Sequence, residues 1–273
     1  MGLHNLGFPD VDSQTIASIA STWALKITMI INALTMGIIT SIIPYISDSY
    51  ATNKIKEANN KINQALSIMF GVNLPITIGV IFFSEPVYHI FYGDSLYGGN
   101  ILSFALLVNF IAGFVSIISM VVQSMNYGKQ ACFANILGIV INTALDLPMI
   151  YLFHSLGIPA YLGASMASII GQIVTFAWLT YFLRKTIRLN AKATLNDIKR
   201  LILPLIAMTV VIVVFNSIWQ VSGHSRIYQV LQLGICGTLG AGVYFILAYK
   251  VGAMEYLFQN NKIQKILTLL HVK

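Results

Sequence analysis

Chemistry in this chain has to begin with the few charged and amide side chains that interrupt its apolar runs. Lys26 lies ten residues into the run 16–46 and is the sole formal charge there. Asp146, in the run 131–153, is the only carboxylate deep within any such run. A lysine in hydrocarbon calls for an anion or water beside it, and a carboxylate there can take up a proton or a small cation. Asn135, Gly138, Asn142 and Asp146 fall on one helical face, with Thr143 beside them. Asn109, Gly113, Ser116 and Gln123 form a milder stripe in the run 101–125; their amides can bind sugar hydroxyls or bond between helices. By i, i+3, i+4 spacing Ser18, Ser21 and Thr22 share the side of Lys26, and small Ala33 and Gly37 continue it. If Lys26 and Asp146 face the same interior, they either pair or line a path for a polar solute.

Enzyme chemistry has no foothold. There is no GxSxG, HExxH, Walker A lysine or spaced carboxylate pair, and His4, His89, His154, His224 and His271 lie in leaders, connections or the tail. Cys132 and Cys236 lack metal-type spacing and read as packing residues, so neither a metal nor a cofactor is expected. His89 reads as a surface residue rather than a ligand.

The elements that must carry these residues follow from composition. Of 273 residues 57% are hydrophobic and 9% charged, against about 25% charged in an ordinary soluble domain. Seven runs of spanning length follow one another: 16–46, 62–83, 101–125, 131–153, 161–183, 201–219 and 228–249. With short connections they predict an all-α integral membrane bundle of antiparallel neighbours. At roughly 46 Å the first run exceeds a ~30 Å hydrocarbon core and needs tilt, overhang or a bend at Pro44. Pro75, flanked by Gly71 and Gly79, and Pro148 mark further bends or hinges. Gly163, Ala167 and Gly171 form a close-packing seam with no ligand role.

The net charge of +7 does not indicate a nucleic-acid partner, because the basic residues sit in connections and form no domain. Lys54, Lys56, Lys61, Lys129, Arg184, Lys185, Arg188, Lys192, Lys199, Arg200, Lys250, Lys262, Lys265 and Lys273 all fall on one side; only Arg226 falls on the other. The positive-inside rule then predicts an outside N-terminus and a cytoplasmic C-terminus in the cell membrane. The expected layout is a leader at 1–15, five helices over 16–184, a basic cytoplasmic loop at 185–200, a terminal helix pair at 201–249 and a cytoplasmic tail at 250–273. Connection 84–100 reads as a short interfacial helix and turn. In the tail, Ile263, Ile266, Leu267 and Leu270 make a stripe suited to lying on anionic lipid. An N-terminus outside with no signal peptide is odd for a complete protein, so upstream helices are expected to be missing.

Beyond these patterns, residues 41–94 resemble the polysaccharide-biosynthesis branch of the MOP exporter superfamily, and the stage V sporulation protein B and lipid II flippase types in particular. The phrases that carry the resemblance are IPYISDS at 43–49, the basic loop 53–61, PITIG at 75–79, PVYHIFYG at 86–93, VVQSMNYGK at 121–129 and GIPAYLGASMAS at 157–168. The resemblance implies a flippase of fourteen helices in two lobes, working by alternating access on lipid-linked oligosaccharide or peptidoglycan precursors of the undecaprenyl-pyrophosphate type. This chain would supply the C-terminal part, and the N-terminal lobe would be a missing partner. Lys26 would then be the cation for the pyrophosphate, with Asn109, Gln123 and Asn142 as secondary contacts. Relatives often carry a lysine and an asparagine four apart where this chain has Asn142 and Asp146. A cation-coupled multidrug exporter using Asp146, and a truncated or split-gene fragment inactive alone, are the competing expectations.

Overall fold

In a bilayer every backbone polar group must be satisfied within its own segment, and this chain meets that demand with helices. The computed structural model describes residues 6–7, 9–219 and 226–253, and among these there are helices and turns but no strand. Seven helical stretches are long and apolar enough to cross a membrane: Val11–Ala33, Ile55–Phe82, Gly98–Ser124, Gly128–Ser155, Leu162–Ile187, Lys192–Ile218 and Arg226–Lys250. They are called the first to seventh spans below.

The first two spans are interrupted. The first lies within α1 (Asp10–Ser18), a π turn (Ile19–Trp23) and α2 (Ala24–Thr40), which runs on past it; the second consists of α4 (Ile55–Ile68), a π turn (Met69–Asn73) and α5 (Leu74–Phe82). Between them α3 (Ile43–Ala51) is a separate helix with Pro44 in its first turn. The run 16–46 is therefore not one helix bent at Pro44. The helix stops at Thr40, and Pro44 falls in the first turn of α3, where its missing N–H costs no hydrogen bond. Helix α6 (Ser84–Tyr92) supplies the short helix expected after the second span. The remaining spans are α7 (Gly98–Ser124), α8 (Gly128–Ser155), α9 (Leu162–Ile187), α10 (Lys192–Ile218) and α11 (Arg226–Lys250). The helices thus extend past the apolar runs into the polar residues 10–15 and 185–200. The tail stripe at 263–270 lies outside the described residues.

The third span is central: the first, fourth and fifth spans and α6 all pack on it. The fourth and fifth spans run along each other, and the sixth and seventh form a pair against the second. Lipid tails are as apolar as leucine, so close approach of small residues drives such pairing. Gly171 lies so near the fourth span that a Cβ there would come within 2.6 Å of the Gly138 carbonyl, and one on Gly163 within 2.5 Å of the Met149 carbonyl. This is the seam read from 163, 167 and 171.

Both ends of the bundle are tied by polar contacts. At the end holding Lys54, Lys129 and Arg188, the Tyr50 and Tyr127 hydroxyls meet at 2.9 Å, Ser47 donates to the Ser124 carbonyl, and Asn63 donates to the Asn190 carbonyl. Hydrogen bonding to Tyr127, with a contribution from burial, raises the Tyr50 phenol above its usual pKa. At the opposite end Trp23 stacks on Tyr92, Tyr97 donates to Asp12, and His89 faces Gln229 and Asp94.

Candidate functional site

The charged residues singled out from the sequence, Lys26 and Asp146, lie in two separate polar regions of the spans. On the first, Ser18, Ser21, Thr22, Lys26, Ala33 and Gly37 are all exposed, although the π turn at 19–23 breaks the even helical register between Ser18 and Lys26. Leu25, Met29 and Ile30 flank the lysine and are exposed too, whereas Ala24, Ile27, Thr28 and Ile31 are buried on the opposite side. Lys26 is therefore the cation of an open helix face, and no salt bridge or hydrogen bond engages it among the described residues.

Behind that face lies a set of amides that pattern reading largely missed. Thr77 donates to Asn73 Oδ1 at 2.9 Å, Asn73 Nδ2 to Asn32 Oδ1 at 3.0 Å, and Asn32 Nδ2 to Asn109 Oδ1 at 2.7 Å. Asn109 Nδ2 then donates to the Thr28 carbonyl at 2.9 Å. One directed chain of donors thus crosses the second, first and third spans. Asn73, Thr28 and Thr77 are almost wholly buried, as groups with satisfied partners can be. Asn109, read from sequence as a candidate solute contact, has both ends of its amide engaged here. Asn32 and Asn73 carried a readable signal, an amide at the middle of an apolar span, but what an amide bonds to is a matter of neighbouring spans.

Next to this relay Pro75 has no N–H to offer the carbonyl one turn back, that of Gly71. Tyr244 of the seventh span, itself buried, donates its hydroxyl to that carbonyl at 2.6 Å. The π turn at Met69–Asn73 covers the same residues. A π turn holds one residue more than the helix around it and is often found at functional positions.

The second region is on the fourth span. Asn135 donates to Ser119 at 3.2 Å, Gly138 meets Gly171, and Asn142 Nδ2 donates to Ser168 at 3.3 Å. This stripe faces the third and fifth spans. The Asn142 Oδ1 atom is buried without a hydrogen-bond partner, and half-buried Asp146 follows one turn later. An amide oxygen and a carboxylate at i, i+4 are hard oxygen donors of the kind that hold a small cation. Pro148 lies beyond them, inside α8 and exposed. The first and fourth spans each pack on the third rather than on each other, and nothing joins Lys26 to Asp146 among the described residues. Gln123 is exposed in the last turn of α7, at the end of the bundle where α8 begins with Lys129, away from both regions. Pattern reading also passed over Asp197, which is 7% exposed and accepts a 2.7 Å hydrogen bond from buried Ser67. It falls in register with Thr194, Leu201, Leu205 and Met208 on the buried stripe of α10, and that register was the available signal.

Comparison with known proteins agrees with this architecture. The family model for the lipid II flippase MurJ matches residues 10–231. A curated relative, the lipid II flippase MurJ of Bacillus subtilis (strain 168), is 26% identical over 253 residues, covering 89% of this chain and 45% of that protein. A solved structure, lipid II flippase MurJ in an inward closed conformation, superposes with a TM-score of 0.59 at 20% identity, covering 85% of this chain and 46% of the other. The chain spans less than half the length of both relatives.

Proposed function

Because the chain belongs to the lipid II flippase MurJ family, we propose that it is the C-terminal portion of a membrane flippase for a lipid-linked peptidoglycan precursor of the undecaprenyl-pyrophosphate type. The observation that carries this reading is Lys26, a cation at membrane depth on an exposed helix face with no anionic partner among the described residues. A pyrophosphate crossing a low-dielectric core needs a countercharge, and a lysine can provide one by charge-assisted hydrogen bonds. The face around Lys26 closes against a separate N-terminal lobe, forming between them a cavity that opens to either side in turn. Gln123 lies nearer the basic end and makes a secondary contact with the solute. Basic connections on the cytoplasmic side set the orientation, with the N-terminus outside. The protein moves its solute without making or breaking a covalent bond.

Complementation tests this reading. In a flippase-deficient strain supplied with the missing lobe, or in a full-length relative carrying the equivalent change, Lys26→Ala abolishes growth and Lys26→Arg keeps it. Normal growth of Lys26→Ala at normal protein level would sink the assignment.

A second element has its own observation, the unpartnered Asn142 Oδ1 one turn before Asp146. We infer that this pair takes up a proton or sodium ion, which drives either the same flippase or a drug exporter. Asp146→Asn then removes any sodium or proton dependence of transport; transport that keeps its ion dependence argues against it.

A further inference from the structure

In a bilayer, apolar packing does little to fix how a helix is rotated about its axis, since a leucine is as well placed against lipid as against protein. Directional bonds can fix it. The first span has such bonds on one side: Asn109 holds the Thr28 carbonyl at 2.9 Å, and Asn32 is gripped between Asn109 at 2.7 Å and Asn73 at 3.0 Å. At about 100° per residue, Thr28 lies about 160° and Asn32 about 120° around the helix from Lys26. The anchors are therefore on the far side from the cation.

We propose that Asn109 and Asn32 are positioning residues for Lys26: the amide relay sets the rotation of the first span and so aims the lysine at the open face. The assignment rests on reading Lys26 as the pyrophosphate contact. The relay has what such a task needs. It begins on buried Thr77 and Asn73, next to the Pro75 and π-turn segment of the second span, and ends on a main-chain carbonyl. Its donors all point the same way, so each bond polarises the next. The buried Gly113 on the third span leaves room for it: a Cβ there would run into the Met69 side chain and lie 3.6 Å from Asn32 Oδ1. The π turn at 19–23, which ends three residues before Lys26, supplies one extra residue, so rotation beyond the turn is not dictated by the helix ahead of it.

A spin-label scan of the full chain in lipid vesicles tests this. Cysteines are placed singly at residues 25–31 in a background of Cys132→Ser and Cys236→Ala. Collision with oxygen, which partitions into lipid, and with a nickel chelate, which stays in water, is summed at each position. The unaltered relay gives high accessibility at 25, 26, 29 and 30 and low accessibility at 27, 28 and 31. In Asn109→Leu and in Asn32→Leu the contrast between 26 and 27 falls about threefold or more, the effect expected from losing membrane hydrogen bonds. An unchanged contrast in both variants, with helix content and melting intact, overturns the proposal. Should either leucine variant fail to fold, Asn109→Asp keeps the acceptor for Asn32 and loses the donor for Thr28. It gives a smaller loss of the same sign, and no loss there overturns the proposal equally. The ratio of nickel to oxygen collisions at 26 is a separate readout. A lipid-like ratio in the assembled transporter would defeat the pyrophosphate reading and leave the positioning result standing.

Discussion

Tyr244 and Gly71 are joined across 173 residues of sequence by a 2.6 Å hydrogen bond from a phenol to a main-chain carbonyl, and Pro75, four residues on, has no N–H to give that carbonyl. Tyr244→Phe leaves the carbonyl without a partner in a water-poor interior and lowers stability by about 1–3 kcal/mol. Pro75→Ala restores an N–H one turn on. In the double variant the loss from Tyr244→Phe shrinks, so a double-mutant cycle on melting in detergent yields a coupling energy clearly different from zero. Strict additivity would show that proline and tyrosine act independently.

The crossing of Gly138 and Gly171 predicts steric intolerance. A Cβ at Gly138 would run into the Thr175 hydroxyl and lie 2.8 Å from the Gly171 carbonyl. Backbone cannot move aside as a side-chain tip can, so Gly138→Ala destabilises by about 1–3 kcal/mol. Gly37→Ala, where a Cβ meets nothing within 4 Å, leaves the melting temperature unchanged within error.

Asp197 is a buried carboxylate served by Ser67. Hydrogen bonds to charged acceptors contribute about 1.5–3 kcal/mol, so Ser67→Ala should lower stability in that range while Ser67→Thr largely preserves it. A neutral Ser67→Ala would show that Asp197 is held by other groups.

The tyrosine pair at the basic end makes stability depend on alkaline pH. The neutral Tyr50 phenol is the form held by Tyr127, and its pKa in the folded chain is raised above the unfolded value. The contribution is therefore fully present below the ordinary tyrosine pKa of about 10 and is lost as pH rises through the raised value. At pH 8, Tyr50→Phe costs about 0.5–1.5 kcal/mol. The melting curves of parent and variant converge as pH rises through the raised Tyr50 value, and a gap constant across that range would contradict the assignment.

Much of this molecule was legible without coordinates. Seven apolar runs, their all-α nature and the side-by-side seam of Gly163, Ala167 and Gly171 came from local rules, because a bilayer forces each segment to satisfy its own backbone and small residues to mark contacts. The start of α3 was legible only in part: Pro44 signalled a change of direction, but its place in a first turn rather than at a bend depends on where the preceding helix stops. Lys26 and Asp146 were found as charges out of place. That they do not meet could not be read from either helix alone, since it depends on how their two spans pack on the third.

Sequence by itself determined what each segment is: apolar enough to cross lipid, basic at one set of connections, and charged at Lys26 and Asp146. Only the tertiary structure decided what the polar atoms bond to. It engaged both ends of the Asn109 amide between spans, brought Asn32, Asn73 and Tyr244 into a shared interior, and turned Lys26 to the open face. The physical reason is that hydrophobic burial is additive and local to a segment, whereas a hydrogen bond is short and directional, and between spans it exists only once several helices hold a common register.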